Sequence, residues 1–212
     1  MTVALQGSLL DPGDEVAVRP LGSSVRRTAL ADGAWIDLRP NWIVGSGELL
    51  RRLLHAVPWQ AEKRRMYDRV VDVPRLLAFY AETQPLPDTT LDEAKAVLDS
   101  HYRGELGEPF RTAGLCLYRD GRDSVAWHGD TIGRGRTHDT MVAIVSVGSP
   151  RAFLLRPRGG GQVLRHELGH GDLIVMGGSC QRTWEHAIPK TARSVPPTGP
   201  RISIQFRPRG VR

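Results

Sequence analysis

The chain of 212 residues has little cysteine and almost no lysine. Its two cysteines, Cys116 and Cys180, form no Cys-x-x-Cys motif, so no disulfide framework is expected and both read as buried free thiols. No apolar run approaches the roughly 20 residues needed to cross a bilayer, and no membrane span is expected. Asp11, Asp14 and Glu15 precede any basic cluster, which is not the charged-then-apolar layout of a secretory signal, and the chain is expected in the cytoplasm. No internal repeat or low-complexity segment stands out. Among the 29 basic residues only Lys63, Lys95 and Lys190 are lysines, so the positive charge is almost entirely guanidinium.

That charge is unevenly spread. Residues 1–106 hold 13 basic against 15 acidic residues, whereas residues 107–212 hold 16 against 8. A basic surface of this kind attracts polyanions, and arginine pairs phosphate bidentately, which makes nucleic acid the leading partner class. The competing explanation is that arginine usage is compositional. Nothing calls for an obligate protein partner.

At this length one compact domain is the simplest organisation. Within it, residues 1–108 are expected to form an N-terminal extension with supporting helices and a possible substrate lid, its short apolar runs at Glu15 to Pro20 and Ala34 to Ile43 reading as strands or extended segments, and residues 109–212 the catalytic core. Ser46-Gly47-Glu48 opens an amphipathic helix in which Leu49, Leu50, Leu53 and Leu54 recur at helical spacing. Thr90-Leu91-Asp92-Glu93 has the form of a capping box with Thr90 as N-cap, and the helix it starts should run to about Tyr102. From Phe110 onward short β-rich runs separated by glycine turns predict a sandwich or barrel of many strands.

In Trp127-His128-Gly129-Asp130, a histidine and an aspartate two apart on a strand point to one face. Two such ligands leave a metal under-coordinated. His186 is the best third candidate, with His170 in a Gly-His-Gly turn as its rival. Two histidines and one carboxylate suit iron(II) and leave open positions on the metal. Downstream, Arg201 and Arg207 are six apart in an alternating run, facing with Ser203 and Gln205 and away from Ile202, Ile204 and Phe206. Inward-facing guanidiniums require anionic partners, and a dicarboxylate fits. On an edge strand the same arginines would simply face water.

The order of these pieces resembles the AlkB family of iron(II)- and 2-oxoglutarate-dependent dioxygenases. The resemblance covers roughly Pro109 to Pro208, through Leu117 to Gly121, His128 to Asp130, Ile144 to Gly148, His170 to Gly178, Trp184 to Lys190 and Arg201 to Arg207. In the first half it rests only on Val73-Pro74-Arg75 and Tyr80. It implies a mainly β fold with flanking helices, a double-stranded β-helix or jelly roll. It implies iron(II) on His128, Asp130 and His186, with dioxygen and 2-oxoglutarate as co-substrates. Tyr118 would bond the co-substrate, Arg201 would hold its far carboxylate, and Arg207 would lie nearer the metal. Trp59, Met66, Tyr67 and Tyr80 become candidates for a lid over the substrate base.

The activity so implied is oxidative dealkylation of N-alkylated bases in DNA or RNA, a form of alkylation repair. Arg119, Arg122, Arg134, Arg136 and Arg182 are the candidate phosphate contacts. Three positions depart from the family pattern. Cys116 and Ser203 stand where asparagines are common; Ser203 can still donate a hydrogen bond and stays a candidate for co-substrate binding, whereas cysteine is a poor donor. Ile132 stands where several repair members carry an acidic residue, and it cannot accept a bond from a base's amino group. The same oxygenase chemistry on a protein side chain or small molecule is the alternative; a non-catalytic nucleic-acid-binding module is a third.

Overall fold

The structure, a computed structural model, describes residues 15–66, 69–191 and 198–211, with the backbone alone at 63–66 and 69–72. Strands β1 (Ala17–Val18), β2 (Arg26–Ala29), β3 (Ala34–Arg39) and β4 (Ile43–Val44) precede helix α1 (Ser46–Ala56). A hairpin of β5 (Gln60–Met66) and β6 (Arg69–Tyr80) leads to helix α2 (Thr89–Leu106). The second half runs through β7 (Thr112–Tyr118), β8 (Val125–His128), β9 (Val142–Gly148), β10 (Arg151–Pro157), β11 (Leu164–Leu168) and β12 (Asp172–Gly178). A single helical turn, α3 (Cys180–Thr183), then leads to β13 (Trp184–Ile188) and β14 (Arg201–Arg207).

Two antiparallel sheets face each other, one ordered β2-β3-β12-β9-β14-β7-β6-β5 and the other β11-β10-β13-β8. From β7 onward the chain changes sheet at every step except the β10–β11 hairpin, which winds eight strands into a double-stranded β-helix. β9 is buried at every residue because the large sheet is covered on both faces. One face carries Leu115, Leu117, Val145, Val175, Ile202 and Phe206, packed on Leu49 and Leu53 of α1 and Leu91 and Leu98 of α2. The other presents Tyr118, Ile144, Ile174 and Met176 to Phe153, Leu155 and Trp184 of the small sheet. The two-residue period of each strand thus sorts its side chains between a helix-side core and an inter-sheet core. Cys116 and Cys180 are both buried and free, as expected.

The helices follow from local chemistry, with one correction. Helix α2 starts one residue before Thr90, because the Asp88 carboxylate accepts the Thr90 backbone N–H at 2.9 Å and is the real N-cap. It also continues through Gly104 and ends at Gly107, whose φ of 70° closes the last turn.

The first half is also more than an extension. Four of the eight large-sheet strands, β2, β3, β5 and β6, come from before residue 109. The reason lies in two complementary edges. β6 pairs with β7 from Leu76↔Leu117 to Tyr80↔Ala113. β3 pairs with β12, where Gly177 leaves room for the Trp35 ring that any Cβ would overlap.

Candidate active site

The strand register brings the metal-ligand candidates together. β8 pairs with β13 so that His128 lies directly across from His186, and the chain turns at Gly129 to bring in Asp130. The ligating atoms of His128, Asp130 and His186 all lie within 4.8 Å of one another, and among the described residues they are the His/Cys/Asp/Glu group able to hold a metal ion. His170 is outside this group, exposed in a turn at φ 47°.

Each ligand is oriented. Nδ1 of His128 lies 2.8 Å from the Ala126 carbonyl oxygen. A carbonyl only accepts, so Nδ1 carries the proton and Nε2 presents its lone pair to the metal position. Phe153 stacks on the His186 ring at 5.4 Å between centroids. Arg207 Nε donates to Asp130 Oδ2 at 2.7 Å, and the Asp130 backbone N–H donates to Gln181 Oε1 at 2.8 Å. A Cβ at residue 129 would stand 2.5 Å from the Gln181 carbonyl oxygen, so glycine alone fits between the two ligands.

The protonation states suit a cation. Burial opposes charge on Asp130, but Arg207 and His186 outweigh it and hold the carboxyl at about 2. Burial, helped by neighbouring His128, pushes His186 down to about 3. A carboxylate and neutral imidazoles are the forms that bind a divalent metal.

Arg201 shows what else belongs here. Its side chain is fully buried on β14 opposite Tyr118. Nε donates to Ser146 Oγ at 2.6 Å, while Nη1 and Nη2 are buried without a hydrogen-bond partner. Its guanidinium carbon lies 5.2 Å from the Tyr118 ring centroid. Burial raises the Tyr118 phenol to about 12, so it remains a neutral donor. A buried cation with two unused parallel donors is expensive unless an anion accepts them, and a carboxylate matches that fork. The residues therefore fit one end of a dicarboxylate. Arg207, on the same face, is committed to Asp130 at the metal end. Between the two, Gln205 Nε2 donates to Ser203 Oγ at 2.8 Å and reaches Cys116 Sγ at 3.4 Å. Polar satisfaction at both departing positions thus runs through Gln205.

Sequence reasoning missed Arg151. It is buried at the start of β10, with Nη1 donating to the Asp120 carbonyl and Nη2 to the Asp123 and Pro189 carbonyls at 2.8–2.9 Å. It ties the β7–β8 loop, which leads to His128, to the residue just after β13, which carries His186. No spacing signal marks it, because its partners are carbonyls of distant loops.

The candidate phosphate contacts divide. Arg119 is held bidentately by Asp123, Arg122 donates twice to one oxygen of Asp120, and Arg134 pairs with Glu108 through one contact, so these three are charge-compensated in place. Arg182 is likewise paired, with Asp139, and together with Arg136 it lines a cavity of about 340 Å³ with Thr131 and Arg158. Two lid candidates need correction. Trp59 and Tyr80 pack into the helix-side core, on the far side of the large sheet from the metal ligands. The period of two decides this, because Tyr80 pairs with Ala113 on the helix-facing parity. Phe79, on the opposite parity beside Gly114, is 47% exposed on the site's side. Met66 is placed by its backbone at the end of β5. Tyr67 lies outside the described residues.

Comparisons with known proteins agree with this geometry. The family model described as the 2OG-Fe(II) oxygenase superfamily matches residues 62–207. The chain is 30% identical over 216 residues to alpha-ketoglutarate-dependent dioxygenase alkB homolog 3 of Mus musculus, covering 91% of this chain and 69% of that protein. The Homo sapiens protein of the same name is 29% identical over 213 residues, with the same 91% and 69% coverage. DNA oxidative demethylase ALKBH2 of Arabidopsis thaliana is 31% identical over 137 residues, covering 53% of this chain and 42% of that one. The solved structure of OsALKBH1 shares the fold at a TM-score of 0.59 and 14% identity, covering 86% of this chain and 100% of that one. The chain therefore belongs to the AlkB family of the 2OG-Fe(II) oxygenase superfamily, dioxygenases that work with iron(II), 2-oxoglutarate and dioxygen.

Proposed function

We propose that this protein oxidatively dealkylates N-alkylated bases in DNA or RNA, with iron(II) held by His128, Asp130 and His186. Its 2-oxoglutarate would lie between Arg201 and the metal, one carboxylate on the free Nη1 and Nη2 donors and the Tyr118 phenol beside it. The observation that carries the reading is that pair of orphaned donors in the same inter-sheet core as the clustered ligands. Iron(II), 2-oxoglutarate and dioxygen supply the oxidising chemistry, which hydroxylates the N-alkyl carbon so that it leaves as an aldehyde and frees the base.

The chain's own residues orient and exclude. Arg207 fixes one oxygen of Asp130 and leaves the other for the metal, while the Ala126 carbonyl fixes the His128 tautomer. The inter-sheet core keeps water from Arg201, where its charge acts at full strength. The substrate class is supported by relatives whose name is DNA oxidative demethylase and by the basic excess of residues 107–212.

A second reading, the same chemistry on a protein side chain or small molecule, is favoured by Ile132, which stands 67% exposed two residues beyond Asp130 and offers no hydrogen bond. A panel of methylated oligonucleotides, methylated peptides and small amines, each incubated with iron(II) and 2-oxoglutarate and read by mass spectrometry, separates the two. Alkyl loss from oligonucleotides is the expected result, and loss confined to peptides or amines overturns the proposal.

A further inference from the structure

The loop after Asp130 fixes what the mouth of the site offers a substrate. It curls back on the metal motif: the Thr131 N–H donates to the Gly129 carbonyl at 2.8 Å, and a Cβ at residue 135 would overlap the Asp130 carbonyl oxygen. Its far side is pinned to the C-terminal segment, where Gly133 pairs with Val211 and the Arg134 N–H donates to the Gly210 carbonyl at 2.8 Å. This held loop presents Ile132, 67% exposed. The carboxylates that reach it are each matched among the described residues: Asp130 by Arg207, Glu108 by Arg134 and Asp139 by Arg182.

Positive charge is left over. Arg156 and Arg158 share Glu185, and the bonds from Arg158 to the Arg182 and Gln181 carbonyls hold it in place without cancelling its charge. The β5–β6 segment, residues 60–80, adds five basic residues against three acidic. Loaded with iron(II) and dianionic 2-oxoglutarate, the centre formed with Asp130, Arg201 and Arg207 carries a further net positive charge. Alkylated bases answer this field differently. An alkyl group on N1 of adenine or N3 of cytosine takes up a lone pair and leaves a cation beside an amino donor. On N1 of guanine or N3 of thymine or uracil it replaces an N–H and leaves a neutral base flanked by carbonyl acceptors. One uncompensated like charge about 8 Å away disfavours a cation by about thirtyfold at an effective dielectric of 20. Phe79, exposed on the site's side of β6, favours a cation over its ring face by only about two- to fivefold. Guanidiniums only donate, and Ile132 can neither accept a hydrogen bond nor balance a charge.

We propose that the enzyme selects neutral, carbonyl-flanked bases, N1-alkylguanine and N3-alkylthymine or N3-alkyluracil, over the cationic N1-alkyladenine and N3-alkylcytosine, with Ile132 as the specificity-determining residue. The inference rests on the nucleic-acid reading above and deepens it by naming the class of base. Selection arises on the disfavoured side: the cation meets a positive mouth with no carboxylate at residue 132 to offset it.

The test uses four oligonucleotides of one sequence that differ only in a central N1-methylguanine, N3-methylthymine, N1-methyladenine or N3-methylcytosine, so contacts to the backbone cancel. Dealkylation is read as kcat/KM by mass spectrometry, and affinity for the anaerobic enzyme by fluorescence anisotropy. In the wild type the neutral pair should exceed the cationic pair by about tenfold or more in both readouts. Ile132→Asp should shift that ratio toward the cations by about tenfold or more, and Ile132→Asn, the uncharged isostere of that variant, by much less. Both changes fall on an exposed side chain, and each ratio is taken within one variant, so a loss of overall activity does not enter it. Equal shifts in the two variants, or none in Ile132→Asp, would overturn the assignment to charge at this position. A wild type that prefers the cationic pair overturns the proposal and leaves the nucleic-acid reading standing. Turnover of 2-oxoglutarate with no dealkylation of any of the four overturns both.

Discussion

At the scale of single residues, the account depends on side chains whose bonding is incomplete. Arg201 is a desolvated cation with two idle donors, so its charge costs stability in the ligand-free protein and repays it only through a ligand. Arg201→Met should therefore leave the ligand-free melting temperature unchanged or higher, while the apparent 2-oxoglutarate requirement rises by the equivalent of about 2–5 kcal/mol. Melting curves with and without 2-oxoglutarate check this: the wild type should gain stability on binding and the variant should not. His128→Ala, Asp130→Ala and His186→Ala should each lose iron and uncoupled turnover, and His170→Ala should keep both. Iron retained by His186→Ala would contradict the ligand assignment.

His186 also sets a pH dependence in the metal-free protein. Its folded value is depressed from 6.5 to about 3, so between those values the unfolded chain binds the proton and the folded chain does not. Stability should fall as pH drops through that window, and His186→Gln should flatten that part of the profile in acid titration. What could be read at this scale from sequence was fixed spacing: Arg201 and Arg207 share a face of β14 by arithmetic, whereas His128 ends β8 and it is the turn at Gly129, not the strand period, that brings Asp130 beside it. Arg151 was illegible because its three carbonyl partners come from loops that meet only in the fold.

At the scale of elements, parity decides what a strand can do. Tyr80 and Phe79 are adjacent, yet one joins the helix-side core and the other faces the site. The sequence marks both as aromatic but does not say which face of β6 is inward. That was settled by pairing with β7, a contact across more than thirty residues of chain. The first half was only partly legible: the runs at Glu15 to Pro20 and Ala34 to Ile43 hold β1 and β3, but which strands they join does not show in the sequence. β2 is exposed at all four residues and β5 is strongly charged, so neither shows a buried-strand pattern. The second half was legible because strands buried on both faces read as apolar runs. Two substitutions test the elements. Asp88→Ala should destabilise α2 by about 1 kcal/mol in denaturant unfolding, more than Thr90→Ala does through the cap. Gly129→Ala must push β8 away from α3, because its Cβ meets the Gln181 backbone oxygen. It should cost about 1–3 kcal/mol and weaken iron binding, read by denaturation and iron titration on the same sample. Unchanged iron affinity would mean that the turn is not what sets the ligand spacing.

At the scale of the molecule, the sheets bring metal ligands, a co-substrate cation and a basic rim to one side of the large sheet, with both long helices on the other. The charge split then acquires a direction. Oligonucleotide affinity should fall steeply with salt, whereas uncoupled 2-oxoglutarate turnover should be far less sensitive, since Arg201 is shielded from the solvent. The measurement that tests the whole account most directly is the stoichiometry of the coupled reaction. A methylated oligonucleotide is incubated with the protein, iron(II) and 2-oxoglutarate in air, and alkyl groups lost are counted against 2-oxoglutarate consumed. The account predicts a ratio near one for the wild type and neither process for Asp130→Ala. Steady consumption of 2-oxoglutarate with the oligonucleotide intact, or alkyl loss that persists in Asp130→Ala, would contradict it.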